Sequence, residues 1–182
     1  SNRNGSYTQK ARRRNSMTQK IPAAQTEIIP GQKVKRKGRR RRSRELALQG
    51  LYQWFVAGGT IQAITEQLHE TKEFLKTDQE YFSDLLRGAL TNLTELEKHI
   101  QICLDRPFKE LSPIEASILL LSAHEFTSHP GIPYKAIINE AVELAKAYGG
   151  PDGHKYVNGV LDKLAKQLRA EELALPAKSQ KI

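Results

Sequence analysis

The chain has 182 residues, a formal net charge of +9 and one cysteine, Cys103. A single thiol excludes an internal disulfide framework, and no apolar run reaches the ~18 residues that a membrane-spanning helix needs. The charge is divided unevenly: residues 1–44 hold 15 basic residues and 1 acidic one, a net of +14, whereas residues 45–182 hold 14 and 19, a net of −5.

Residues 1–38 form a basic arm too poor in large apolar side chains to offset its ordering entropy, and the expectation there is disorder. Residues 1–16 read as non-native sequence, because Met17 offers a natural start. Nine of the twelve residues in Lys33-Val-Lys-Arg-Lys-Gly-Arg-Arg-Arg-Arg-Ser-Arg44 are basic. Such a run seeks a polyanion, and the commonest polyanion is nucleic acid. The extra basic residues 33–37 add nonspecific affinity or nothing.

The run leads into apolar residues at helical spacing: Leu48, Leu51, Tyr52 and Phe55 recur at i, i+3, i+4 and i+7. Gly58-Gly59 stops that helix. Thr60 caps a short second one carrying Ile61, Ile64 and Leu68. Asp78 caps one long helix with Tyr81, Phe82, Leu85, Leu86, Ala89, Leu93, Leu96 and Ile100 on one side. Gly88 inside that pattern points to close packing of another helix. Ser112-Pro113-Ile114-Glu115 carries a capping box and an N-terminal proline. The helix it starts is apolar on more than one face, hence central.

His129-Pro130-Gly131 ends the central helix, and Pro133 opens the next, with Ile137, Ala141, Leu144, Ala145 and Tyr148 inward. Gly149-Gly150-Pro151 closes it. Asp152 caps the last helix, which buries Val157, Val160, Leu161, Leu164 and Leu168. No stretch alternates with period two. The expectation is an all-α fold: one compact domain of about six helices over residues 39–172, a disordered arm before it and a flexible tail at 173–182.

Chemistry is sparse. The histidines at 69, 99, 124, 129 and 154 show no ligand spacing. His124 and His129, at i and i+5, fall on different faces of a helix, so no metal site is expected. No nucleophile–base set can be assembled, and the glycine pairs lack a phosphate-loop pattern. Cys103, among Ile100, Ile102 and Leu104, reads as an inert buried thiol. The expectation is no enzyme, no cofactor and no membrane association, in the cytoplasm. Two tyrosines stand out beside cations, the local chemistry of single-stranded base stacking with phosphate contact. Tyr52 follows the arginine run, and Tyr156 lies one turn into the last helix beside His154 and Lys155. A tyrosine at helical spacing is more often core, and for each residue both readings stand.

Several segments then agree with one family. Arg44-Glu-Leu-Ala-Leu-Gln-Gly-Leu-Tyr-Gln-Trp54 resembles the opening helix of NusB proteins, bacterial transcription antitermination factors. Tyr81-Phe-Ser-Asp-Leu-Leu-Arg-Gly88 and Leu111-Ser-Pro-Ile-Glu-Ala-Ser-Ile-Leu-Leu-Leu121 resemble later helices. So do Pro133-Tyr-Lys-Ala-Ile-Ile-Asn-Glu-Ala-Val-Glu-Leu-Ala-Lys146 and Gly149-Gly-Pro-Asp-Gly-His-Lys-Tyr-Val-Asn-Gly-Val-Leu-Asp-Lys163.

The resemblance spans about residues 39–170. It implies an all-helical, non-enzymatic protein that binds the boxA element of ribosomal RNA transcripts together with NusE, a small-subunit ribosomal protein. The assembly, with other Nus factors, promotes read-through by RNA polymerase. By position it implies RNA-binding roles for Arg39, Arg40, Arg41, Arg42, Arg44, Tyr52, Asp152, Lys155, Tyr156 and Asn158. Tyr156 is commonly Phe in the family. It implies a NusE-facing surface with Phe82, Asp84 and Glu115, although Glu115 is also the capping-box residue. Some members are homodimers. Two rival readings are the NusB-like domain of ribosomal RNA cytosine methyltransferases, and an interaction module whose arm only solubilises.

Overall fold

The computed structural model describes residues 38–176. The expected arm, the reading of residues 1–16 and the end of the expected tail lie outside them. The helices are α1 (Arg39–Ala57), α2 (Ile61–His69), α3 (Gln79–Thr91), α4 (Leu93–Ile102), α5 (Pro113–Ser128), α6 (Tyr134–Tyr148), α7 (Gly153–Leu168) and a short α8 (Ala170–Ala174). Single 3-10 turns stand at Phe74–Lys76 and Phe108–Glu110. No described residue lies in a strand, as the all-α reading expects.

The helix boundaries follow their capping chemistry. The Thr60 side chain accepts from the Ala63 N–H, and that of Asp78 from the Tyr81 N–H. Ser112 and Glu115 exchange both bonds of a capping box. After α1 the chain turns through Gly58 and Gly59 at φ 75° and 110°, a region that disfavours side chains. Asp152 stands at the N-cap of α7, but its side chain makes no capping bond.

α5 is the axis of the molecule. Residues 116–126 are buried all the way round, and α5 touches α1, α3, α4, α6 and α7. Their apolar stripes close one continuous core around it. α3 approaches most closely at Gly88, where an added Cβ would lie 2.1 Å from the His124 ring. The expected close packing at Gly88 is therefore the seat of one imidazole.

One expectation needs correction. The long helix from Asp78 to Ile100 is two helices, broken at Asn92 (φ −97°, ψ 15°). The Asn92 Nδ2 donates to the Gly88 carbonyl at 3.0 Å, a local side-chain bond that competes with helix continuation. Leu93, Leu96 and Ile100 stay buried, so the apolar period survives the break. The boundary drawn at residue 172 falls inside α8. Just before it, buried Arg169 donates to the Phe126, Ile132 and His129 carbonyls and so ties the end of α7 to the end of α5.

Candidate nucleic-acid interface

Four consecutive arginines form the first turn of α1, with no acid among them and no side-chain cap at Gly38. A helix N-terminus already carries partial positive charge, so this turn attracts anions. The arginines differ in what they touch. Arg41 is bonded bidentately to Glu140 of α6, at 2.9 and 2.7 Å. That bond raises the Arg41 pKa and lowers that of Glu140. Arg40 lies over the Tyr81 ring at 5.0 Å and 4.0 Å from Asp78, with 59% of its side chain exposed. Arg39 and Arg42 form no ion pair with any described residue.

Arg44, expected on the RNA surface, is buried instead. Its Nε and Nη2 each donate to the Glu125 carboxylate at 2.8 Å, and Nη2 also donates to the Tyr81 hydroxyl at 2.9 Å. Tyr81 in turn donates to Glu125 at 2.6 Å. Burial opposes the Arg44 charge, but the bond to Glu125 and its charge outweigh this and raise the pKa. Burial, joined by the Glu125 charge, pushes the Tyr81 hydroxyl up. Arg44 falls on the buried face because Ala47, Leu48 and Leu51, three, four and seven residues on, share it. Tyr52 sits at the edge of that face, half-buried.

A second cluster forms where α7 begins. Tyr156, half-buried, donates its hydroxyl to Asp105 at 3.1 Å, and the Arg106 guanidinium lies 4.7 Å above its ring. The hydrogen bond from Arg106 holds the Asp105 carboxyl down at about 2. Burial, then the bond to Asp105, raises the Tyr156 hydroxyl. Lys155 and Asp152 are exposed and 3.4 Å apart, and Asn158 is exposed. Glu115 belongs to this neighbourhood: an added Cβ on Gly153 would lie 3.8 Å from its Oε1. The cluster thus offers a cation, an aromatic face and hydrogen-bonding groups together.

The expected partner face does not stay together. Phe82 is fully buried against Phe74 and the His69 ring. It cannot meet a partner directly, because its position in the helical period points to the core. Asp84 stands at the other end of α5 from Glu115, beside His124 and His129. The nine residue-to-residue steps from Glu115 to His124 span about 14 Å of helix.

A model of the NusB family matches residues 41–166. The chain belongs to the NusB family. It is 71% identical over 130 residues to the transcription antitermination protein NusB of Nitrosospira multiformis, covering 71% of this chain and 82% of that one. Its identity to the Nitrosomonas eutropha protein of the same name is 63% over 137 residues, covering 75% and 82%. Among solved structures, NusB of T. maritima matches with a TM-score of 0.67 at 29% identity, over 76% of this chain and 99% of that one. A chain in a crystal structure of antitermination factors NusB and NusE with dsRNA matches at 0.62 and 26% identity, over 70% and 96%. This NusB-family chain is accordingly a transcription antitermination factor. No described helix is long and apolar enough to cross a membrane.

Sequence reasoning missed Asp105 and Arg106, which no motif marks. It also missed Glu125, although a lone acid within the apolar run 116–126 is a visible signal for a buried cation partner.

Proposed function

We propose that this protein binds single-stranded boxA RNA of ribosomal RNA transcripts together with NusE, and so promotes read-through by RNA polymerase within the antitermination complex of Nus factors. The observation that carries the reading is the first turn of α1. It presents Arg39 and Arg42 without a carboxylate partner among the described residues, on a chain whose structural relative is found with NusE and dsRNA.

The arm and the exposed arginines of α1 engage phosphates and set position. Base recognition falls to Tyr156 with Arg106, helped by Tyr52, Asp152, Lys155 and Asn158. Arg106 covers one face of the Tyr156 ring, so a base takes the other face or displaces the guanidinium. Arg41 and Arg44 act through the fold, by fixing α1 against Glu140 and Glu125. On the partner side, Glu115 and Asp84, at opposite ends of α5, are two separate points offered to NusE, and Phe82 acts only through the packing of α3.

The test is competition between boxA RNA and a scrambled RNA of equal length, at near-physiological salt with NusE present. Preference for boxA is the expected result; equal competition would overturn sequence-specific recognition. Tyr156→Ala is expected to weaken boxA binding by ~1–3 kcal/mol while Tyr156→Phe keeps it. A loss confined to thermal stability would make Tyr156 a packing residue only.

A further inference from the structure

Asp84 of α3 meets His124 of α5 and His129, the residue at its C-terminal cap. The Nε2 atoms of the two rings lie 2.9 and 2.6 Å from one oxygen, Asp84 Oδ2, and the three donor atoms all fall within 4.8 Å of one another. We propose that these side chains bind a divalent transition-metal ion, Zn2+ foremost, through both Nε2 atoms and a carboxylate oxygen of Asp84.

The i, i+5 spacing of the histidines argues against a shared site only while both belong to one helix. α5 ends at Ser128, and His129 takes φ −124° and ψ 65°, which swings its ring back over α3. This overturns the expectation drawn from sequence that the two rings face apart. His129 is fixed on both sides: its N–H donates to the Glu125 carbonyl, and its carbonyl accepts from Arg169. Its ring packs edge-on to Tyr81 at 5.2 Å. His124 is held by α3 itself. Gly88 leaves room for the ring, and Asp84, four residues earlier on the same face, lies against its Nε2.

The chemistry of the donor set fits. Two imidazoles and a carboxylate suit Zn2+, Co2+ and their neighbours, and three protein ligands leave one tetrahedral position open. The His124 Nδ1 faces the Ser128 hydroxyl at 3.4 Å. When a metal takes the Nε2 lone pair, the proton moves to Nδ1 and the Ser128 hydroxyl can accept it, the outer arrangement typical of metal-bound histidine. Donor atoms around a tetrahedral ion with bonds of about 2.0–2.1 Å stand ~3.3 Å apart, so Asp84 must withdraw by roughly half an ångström. Its side chain is 47% exposed and free to do so.

The test titrates the full chain with ZnCl2 by calorimetry and with CoCl2 by visible absorption, alongside Asp84→Asn and His129→Gln. Neither substituted side chain belongs to the apolar core. The single tryptophan, Trp54, reports that each variant is folded, and one folded variant suffices. One equivalent of Zn2+, a raised Tm with zinc and the d–d bands of tetrahedral Co2+ are expected, all lost in the folded variants. No zinc uptake by the unsubstituted chain would overturn the proposal and leave a hydrogen-bonded clasp. Uptake and Tm shift unchanged in the folded variants would also overturn it, by placing the ion at other histidines.

Discussion

Replacing Arg44 by Met tests whether this arginine belongs to the RNA surface or to the core. The substitution keeps much of the side-chain volume but leaves Glu125, whose side chain is 2% exposed, with only the Tyr81 hydroxyl to bond it. Breaking a buried pair by removing one partner costs about 3–5 kcal/mol, because a charge is left uncompensated. Domains of this size are stable by only ~5–15 kcal/mol, so the loss is large. Urea unfolding followed by Trp54 fluorescence measures it directly, since Trp54 is the only tryptophan and is buried. The midpoint is expected to fall sharply with the slope unchanged. Adding Glu125→Met to Arg44→Met should recover most of the loss, because an apolar pair of similar volume often replaces a buried ion pair at little cost. RNA affinity, measured where the variant is folded, should change little. A variant of unaltered stability that binds RNA weakly would refute the reasoning and return Arg44 to the interface.

Arg39→Ala with Arg42→Ala is expected to flatten the dependence of log affinity on log salt by about 0.7 for each phosphate no longer neutralised, for every single-stranded RNA tried. Equal slopes would remove both residues from the phosphate-binding surface. Gly88→Ala places a methyl 2.1 Å from the His124 ring and should cost ~1–3 kcal/mol in chemical denaturation. The pairing of Glu140 with Arg41 holds its pKa below the ordinary 4.5. A depressed carboxylate pKa contributes stability that is complete above the unfolded value and is lost as pH falls through the folded one. Glu140→Gln should therefore be less stable than the parent near neutrality, with the gap closing below about pH 4.5 in acid titrations.

What the sequence made legible was governed by local rules. Thr60, Asp78 and Ser112 cap where their side chains can reach an orphan N–H, and that requires only a spacing of three residues. The central helix was legible from its capping box and from an apolar run that leaves no solvated face over residues 116–126. The break at Asn92 escaped because it interrupts no apolar period; a single side-chain bond to the Gly88 carbonyl decides it. The sites were harder for the same reason. Arg44 and Arg39 look alike in a run of arginines, yet one meets Glu125 across 81 residues of chain and the other meets no described carboxylate.

The same contrast explains why positive charge at α1 divides into structural and available parts. Along a helix, positions 41 and 44 share one side, and that side faces α5 and α6, where Glu125 and Glu140 wait. Positions 39 and 42 share another side, which no described carboxylate approaches. Neutralising Arg41 and Arg44 internally docks the helix, and that docking is what holds Arg39 and Arg42 at a fixed place on the surface. The acids that a net-charge argument counts as solvated surface therefore do two jobs. Glu125 and Glu140 remove two cations from the field an RNA would meet, and by docking α1 they place the three that remain, Arg39, Arg40 and Arg42.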